Sequence, residues 1–190
     1  MKEIALHIMD LVQNSIAAGA TRVEVSVTRD SAAGRLTVEV ADDGRGMPPH
    51  LADRAVDPFV TTRTTRRVGL GLPLLADSAR QSGGSLVIDS VEGRGTRVTA
   101  TFGLTHIDRP PLGDMASTLA CLLAANPGLE VEYRHRCDGR EFVLTASDVR
   151  QALDDMDGGA PGGPLVFRSV RSLVSEGLLA ACGEDGSQLS

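Results

Sequence analysis

Apolar residues near the start of the chain follow two rhythms. Residues 3–18 carry them at helical spacing, which predicts an amphipathic helix that ends near Gly19. Residues 22–29 and 35–41 alternate between apolar and polar side chains, which predicts two half-buried strands. The loop 30–34 between them is short, so we expect the two strands to form a hairpin.

Similar elements follow further along the chain. A loop rich in glycine and proline covers 42–50, and the next residues, 51–68, show no clear period. Apolar spacing then predicts a helix over 69–83, and alternation over 86–91 and 98–102 predicts a second hairpin. Helices that alternate with hairpins predict an α/β (α+β) fold. It is a two-layer sandwich of a mixed, largely antiparallel sheet with helices on one face.

Two consecutive prolines, Pro110 and Pro111, mark the end of this first pattern. Residues 113–156 predict a small αββα segment, in which Ser147 is expected to cap the last helix. The expected organisation is a first domain at 1–106, a small C-terminal α/β domain of unknown role at 107–157, a glycine- and proline-rich hinge at 158–164, and an amphipathic helix with a flexible tail at 165–190.

Charge and composition exclude several classes of protein. The net charge of -6 argues against general affinity for nucleic acids. Neither a leader peptide nor an apolar run of about 18 residues is visible, so we expect a cytoplasmic protein without a membrane span. The cysteines, Cys121, Cys137 and Cys182, are far apart and odd in number, which predicts reduced thiols rather than a disulfide framework or a zinc site.

Asp42 directly follows the second predicted strand and opens a glycine-containing turn. A carboxylate held there can accept a hydrogen bond from an exocyclic amino group, which distinguishes adenine from guanine. Gly44 and Gly46 allow the backbone to turn beneath the base. An ordinary acidic surface turn is the alternative interpretation.

Asp10 and Asn14 are four residues apart on the first predicted helix and therefore share one face, with His7 near the same stripe. A carboxylate and an amide oxygen suit Mg²⁺, which prefers hard oxygen ligands and keeps several waters. A polar stripe on the surface of an amphipathic helix is the alternative interpretation.

Gly69 and Gly71 open a predicted helix, where free backbone N–H groups and the helix dipole favour phosphate oxygens. The preceding residues, 61–67, add threonine hydroxyls and arginine guanidinium groups that are well matched to phosphate. A solvated basic loop is the alternative interpretation. The sequence contains neither a Walker A motif nor a strand-linked G-x-G-x-x-G, which excludes the commonest phosphate-binding loops.

Taken together, these motifs resemble the GHKL ATPase superfamily, whose nucleotide-binding domain is the Bergerat fold of gyrase B, MutL and the histidine kinases. The resemblance covers residues 1–104. The matching segments are DLVQNS at 10–15 (the N box), DDGRGM at 42–47 (the G1 box), DPFVTT at 57–62 (the F box), VGLGL at 68–72 (the G2 box) and GRGT at 93–96 (the last glycine box).

The resemblance implies Mg-ATP as the ligand. Asn14 is implied to bind the magnesium that bridges the phosphates, and Asp42 to accept a hydrogen bond from adenine N6. Asp10 is implied to be a base or a water-orienting residue, and 60–68 to form a lid over the phosphates. The implied ATP-binding residues are Asn14, Asp42, Gly44, Gly46, Met47, Phe59, Thr61, Thr62, Arg63, Gly69, Leu70, Gly71, Leu72 and Thr96.

The chain departs from the superfamily pattern in three ways. Relatives that hydrolyse ATP usually carry Glu where this chain has Asp10, whose carboxylate is one methylene shorter and reaches a different position. Arg67 stands where the G2 pattern normally has its first glycine, and the lid, 60–68, has only nine residues. ATP hydrolysis therefore does not follow from the motifs alone.

The motifs predict an Mg-ATP-binding module that acts as a cytosolic regulatory switch or as a protein kinase toward a protein partner in trans. The N box begins within ten residues of Met1, so we expect no phosphoacceptor-histidine domain in this chain. The partner is expected to dock through residues 105–190. Two alternatives stand beside this prediction: a slow, MutL-like ATPase that works as a homodimer, and a non-enzymatic scaffold with a vestigial nucleotide site.

Overall fold

The structure, a computed structural model, describes residues 3–52, 54–56, 71–154 and 164–183. The helices and strands predicted from the sequence agree with the structure to within a few residues. The structure also contains a single-turn helix after the G1 box that was not predicted. The elements are α1 (Ile4–Ala17), β1 (Arg22–Asp30), β2 (Arg35–Asp42), α2 (Pro49–Ala52), α3 (Gly71–Gln81), β3 (Ser85–Val91), β4 (Gly95–Gly103), α4 (Met115–Ala125), β5 (Glu130–Cys137), β6 (Arg140–Thr145), α5 (Ala146–Asp154) and α6 (Pro164–Cys182).

The strands form one mixed sheet in the order β3-β4-β2-β1-β5-β6. The β1–β2, β2–β4, β3–β4 and β5–β6 pairs are antiparallel, and the β1–β5 pair is parallel. The prediction of a mixed, largely antiparallel sheet is therefore confirmed.

The two faces of the sheet differ in polarity because the strands alternate. Val23, Val25 and Val27 of β1 are buried in a core that α1, α3, α4 and α6 also line. Residues between the inward-facing ones form ion pairs, such as Arg134 with Glu132 (2.6 Å). These pairs are partly exposed, so each contributes only about 0–1 kcal/mol to stability. Helices α1, α3, α4, α5 and α6 contribute buried residues to the core on this apolar face.

The segment after Pro110 contributes to the same sheet and core. Strand β5 lies beside β1, with Tyr133 opposite Val25, and Tyr133 is fully buried. The carbonyls of Pro111 and Leu112 accept hydrogen bonds from the first amides of α1, Ile4 N (2.9 Å) and Ala5 N (2.8 Å). These contacts satisfy two of the four N–H groups that a helix start leaves without partners. The independence of 107–157 as a domain stays a prediction.

The N-cap of α5 differs from the predicted one. Thr145, rather than Ser147, caps this helix, since its Oγ1 accepts a hydrogen bond from the amide of Asp148 (3.3 Å). The Asp148 carboxylate accepts one from the amide of Thr145 in return (2.7 Å). This reciprocal pair is a capping box, which starts the helix one residue before Ser147.

The predicted hinge at 158–164 falls outside the described residues except for Pro164, which begins α6. The tail that follows Gly183 also falls outside them. Among the described helices, none combines the length and the apolar character that crossing a membrane requires.

The prediction of reduced thiols is wrong for two of the three cysteines. Cys137 at the end of β5 and Cys182 at the end of α6 form a disulfide, with their Cα atoms 5.4 Å apart. Cys121 carries an exposed thiol. The pair could not be recognised from spacing because it depends on α6 packing back over β6. Gly177 allows this close approach, since a Cβ at that position would overlap the ring of Phe142.

Candidate functional site

Asp42 ends β2 with its carboxylate held from three directions. Its Oδ2 accepts a hydrogen bond from Ser15 Oγ on α1 (2.7 Å). Its Oδ1 accepts from the amides of Gly44 (2.9 Å) and Thr96 (3.3 Å). Thr96 lies opposite Asp42 in the β2–β4 register. The structure therefore brings the N box, the G1 box and the last glycine box together around one half-buried carboxylate.

The G1 turn lies directly on the β3–β4 hairpin. Gly46 has a positive φ of 63°, and a Cβ there would overlap the carbonyl oxygen of Val91. Gly95 has a φ of 104°, and a Cβ there would overlap the carbonyl of Asp42. Both positions thus need glycine for backbone conformation and for space. Contact of Gly44 and Gly46 with a base stays a prediction.

Ser90 is a part of this arrangement that sequence reasoning missed. Its Oγ accepts a hydrogen bond from the amide of Met47 (2.8 Å) and lies 2.9 Å from Thr96 Oγ1. The sequence signal for Ser90 is its place in the alternation of β3. Leu86 and Ile88 occupy the two preceding inward-facing positions, and a polar residue follows at the third. Ser15, which is buried within the apolar stripe of α1, gave the same kind of signal.

Asp43, next to the central carboxylate, has a structural role. Its side chain accepts hydrogen bonds from the amides of Thr21 (2.7 Å) and Arg22 (2.9 Å) and from the Thr21 hydroxyl (2.6 Å). These bonds, led by the one from the Arg22 amide, lower the pKa of the Asp43 carboxyl. Asp43 therefore ties the turn to the start of β1.

Asp10 lies against the beginning of α3. A Cβ added to Gly71, the first residue of α3, would overlap Asp10 Oδ2, so the carboxylate and the helix start are in close contact. Asn14 is half-buried one turn further along α1. Leu72 packs against the core and helps fix the start of α3. The structure thus places the Asp10 carboxylate beside the positive end of the α3 dipole.

Several predicted ATP-binding residues, which belong to the F box, the lid and the start of the G2 box, fall outside the described residues. They are Phe59, Thr61, Thr62, Arg63, Gly69 and Leu70.

His7 lies one helical turn before Asp10 and is buried. Neither ring nitrogen has a hydrogen-bond partner within the described residues. Burial is the main cause that lowers the pKa of its imidazole to about 4. His7 is therefore a neutral core residue beneath the site.

The low pKa of His7 makes stability depend on pH. An unfolded histidine has a pKa near 6.5, so between about pH 6.5 and pH 4 the unfolded chain binds a proton that folded His7 excludes. The free energy of unfolding should fall as the pH falls through this window, by up to about 1.4 kcal/mol per pH unit for each such group. Urea unfolding at pH 7 and pH 5 checks this.

Replacing this histidine should flatten the pH dependence. His7→Leu is expected to lose less stability than the unsubstituted chain between pH 7 and pH 5. His135, whose pKa burial also lowers to about 4, should account for a remaining part. His50→Leu, at an exposed position of α2, serves as the control. An unchanged pH dependence in His7→Leu contradicts the assignment.

Comparison with known proteins identifies the family. A model of the histidine kinase-, DNA gyrase B- and HSP90-like ATPases matches residues 2–106, more than half of the chain. The chain belongs to this ATPase family. The family match confirms the GHKL resemblance of the motifs, and the matched residues include α1 to α3 and strands β1 to β4.

Curated relatives of this ATPase-family chain include sensor histidine kinases. It is 27% identical over 106 residues to sensor histidine kinase ZraS of Escherichia coli O157:H7, a match that covers 56% of this chain and 23% of that protein. It is 36% identical over 94 residues to sensory histidine kinase/phosphatase NtrB of Rhizobium meliloti, covering 48% and 24%. The chain thus matches about a quarter of the length of these relatives.

A solved structure similar to this chain is the Aquifex aeolicus MutL ATPase domain complexed with ADP. The TM-score is 0.48 at 20% sequence identity, and the match covers 76% of this chain and 63% of that one.

Proposed function

We propose that this chain binds Mg-ATP between Asp42 and the start of α3, and that its nucleotide state regulates a protein partner or supplies a phosphoryl group to it. The observation that carries the proposal is the half-buried Asp42 carboxylate, which three protein donors hold in one orientation. A family relationship with ATP-binding domains supports the identity of the ligand.

The carboxylate of Asp42 fits adenine because one of its acceptor positions remains. A carboxylate offers about four lone-pair positions, and the described donors occupy one on Oδ2 and two on Oδ1. The remaining position on Oδ2 can accept a hydrogen bond from an amino group such as adenine N6. Guanine presents a carbonyl oxygen at that place, which the carboxylate would repel. We therefore expect selection of ATP over GTP.

The residues near the start of α3 fit a magnesium–phosphate group. Asn14 supplies an amide oxygen, the kind of hard ligand that Mg²⁺ prefers, and the amides at the start of α3 favour phosphate oxygens. We propose that Asn14 holds the magnesium. When bound, Mg²⁺ would supply neutralisation of the phosphate charge. Residues 60–68, which the family resemblance implies to be the lid over the phosphates, lie outside the described residues.

Asp10 has the position from which it could act on the terminal phosphate. Its carboxylate is in contact with the α3 start, where the phosphates would bind. It would either orient a water molecule for hydrolysis or accept the proton of a Ser, Thr or His on the partner during phosphoryl transfer. The second role matches the kinase proposal, and the first matches the alternative of a slow, dimeric, MutL-like ATPase.

The contacts of α1 suggest how nucleotide binding could reach a partner. This helix carries Asp10 and Asn14, and its first amides are bound by carbonyls of Pro111 and Leu112. A shift of α1 on nucleotide binding would therefore move the segment that leads into α4. We propose that the partner docks on this C-terminal part, within residues 105–190.

Substitution of Asp10 tests the catalytic part of the proposal. Asp10→Asn should lower phosphoryl transfer from radiolabelled ATP to a partner, or phosphate release, by about 100-fold or more, because an amide cannot accept the proton. Its Kd for Mg-ATP should change by less than about tenfold, since the adenine is assigned to Asp42 and the magnesium to Asn14 rather than to Asp10.

The matched control is Asp77→Asn, because Asp77 is a partly exposed acidic residue of α3. The turnover of this variant should equal that of the unsubstituted chain. Equal turnover in Asp10→Asn and the unsubstituted chain contradicts a catalytic Asp10. Transfer to a protein supports the kinase, whereas phosphate release that depends on dimer formation supports the MutL-like alternative. A chain that binds no ATP supports the scaffold alternative.

A further inference from the structure

A cluster of three metal-binding side chains lies far from the nucleotide site in the sheet, between β5 and the end of α6. His135 and Cys137 are inward-facing residues of β5, and Cys182 is the last residue of α6. All three are buried, with His135 completely so. His135 offers a ring nitrogen and each cysteine its Sγ, and these atoms lie within 4.8 Å of one another.

The imidazole of His135 has a buried ring nitrogen, Nε2, without a hydrogen-bond partner in the part of the chain that the structure describes. A buried polar atom left without a partner destabilises a fold. A bound ion is one of the groups that satisfy such an atom in native proteins. The neighbouring sulfur atoms make a metal ion the ligand that fits.

We propose that His135, Cys137 and Cys182 form a zinc-binding site when the two cysteines are reduced. Two thiolates and one imidazole are a known protein ligand set for Zn²⁺, with a fourth position for water. Zinc–sulfur bonds near 2.3 Å and zinc–nitrogen bonds near 2.0–2.1 Å place tetrahedral donors about 3.5–3.8 Å apart. The three donor atoms lie within 4.8 Å of one another, and zinc binding would require the two bonded sulfur atoms to separate to this spacing.

Tyr133 completes the immediate surroundings of the histidine. Its hydroxyl lies 2.6 Å from His135 Nδ1. A zinc-binding histidine usually donates its other ring N–H to an oxygen acceptor; if Nδ1 donates to the Tyr133 hydroxyl, Nε2 is left unprotonated for the metal. Burial raises the pKa of Tyr133, so the hydroxyl stays neutral.

The charges of the proposed site balance. Two thiolates and one Zn²⁺ have no net charge, so the loaded site can be buried without an uncompensated ion. Arg29, which stands opposite Cys137 in the β1–β5 register, is itself paired with Asp138 (Nε to Oδ2 3.8 Å).

The disulfide in the structure is the oxidised form of the same residues. A low-molecular-weight disulfide would accept two electrons from the two zinc-bound thiolates. Cys137 and Cys182 would then be joined by an S–S bond, while the oxidant leaves as two thiolates and Zn²⁺ is released. Oxidation therefore empties the site, and reduction restores it.

Zinc content of the full chain tests this proposal. Fully reduced protein should bind one Zn²⁺ per chain in competition with a chromophoric chelator, and oxidised protein should bind less than about a tenth as much. Co²⁺ in place of Zn²⁺ should give thiolate-to-metal charge-transfer absorption in the reduced chain. Circular dichroism of each variant confirms that it is folded.

Single substitutions assign the ligands. Cys182→Ser and His135→Gln should each lower the zinc affinity by about 100-fold or more. Cys121→Ser and His106→Gln are matched controls at exposed positions and should bind zinc like the unsubstituted chain. Absence of zinc binding by the reduced chain, or equal zinc affinity in all four variants, overturns the proposal. If His135→Gln does not fold, Cys182→Ser and the cobalt spectrum decide.

Discussion

Asp42→Asn is expected to weaken Mg-ATP binding by roughly 30- to 150-fold, about 2 to 3 kcal/mol, while the chain stays folded. The amide oxygen of asparagine can still accept from the amides of Gly44 and Thr96. Its NH₂ group can donate to Ser15 Oγ, whose own hydroxyl can donate to the carbonyl of Leu11 (3.2 Å). The internal bonds thus survive, but toward adenine an acceptor becomes a donor that faces the N6 amino group.

Calorimetric titration with Mg-ATP and Mg-GTP measures this effect, and thermal unfolding without nucleotide measures the stability of the variant. Asp89→Asn, at an exposed position of β3, is the matched control and should bind ATP normally. ATP affinity that is unchanged in Asp42→Asn, or lost equally in Asp89→Asn, contradicts the role of Asp42.

Gly46→Ala is expected to destabilise the fold by about 3 kcal/mol or more and to abolish measurable ATP binding. An alanine at the positive φ of 63° costs about 1–2 kcal/mol by itself. Its Cβ would also overlap the carbonyl oxygen of Val91, which belongs to the backbone of β3 and cannot move alone. The turn must then leave the hairpin, which breaks the hydrogen bond from Met47 to Ser90.

Gly93→Ala separates these two costs. Gly93 has a similar φ of 76°, and a Cβ there meets no atom of the described residues within 4 Å. Urea unfolding of both variants should therefore show a loss of about 1–2 kcal/mol for Gly93→Ala and a clearly larger loss for Gly46→Ala. Equal losses mean that the overlap with Val91 carries no cost, and the close packing of the turn on the hairpin is then wrong.

The parts of the fold that the sequence predicts correctly are those that neighbouring residues specify. The alternation in β1 and β2 shows which valines are buried, and the end of that alternation places Asp42 at a strand terminus. Glycine spacing then marks the turn. These signals lie within a few residues of the elements that they describe, so no knowledge of distant contacts is needed.

The missed features depend on contacts between distant residues. Ser90 meets the turn residue Met47 across 43 positions, and no short motif contains both. Cys137 and Cys182 are 45 positions apart and meet only because α6 folds back along β6. The three cysteines of the chain are odd in number and far apart in the sequence, which favours the prediction of reduced thiols. Parallel pairing of β5 with β1 likewise follows from the path of the intervening helices, which periodicity does not specify.

The N-cap of α5 shows a smaller, local error. Thr145 and Ser147 are both good capping residues, and the choice depends on which side chain meets Asp148. The reciprocal bonds of the capping box decide in favour of Thr145. A Thr-x-x-Asp spacing, related to the capping box, was present in the sequence and would have indicated it.

One calorimetric titration decides whether this chain is an adenine-selective, magnesium-dependent nucleotide-binding module. The full chain is titrated with ATP and with GTP, each in the presence and absence of Mg²⁺. We expect one ATP per chain, tighter binding with Mg²⁺ than without it, and GTP binding weaker by about tenfold or more. Equal affinity for ATP and GTP, or no binding of Mg-ATP at millimolar concentration, would rule out such a module.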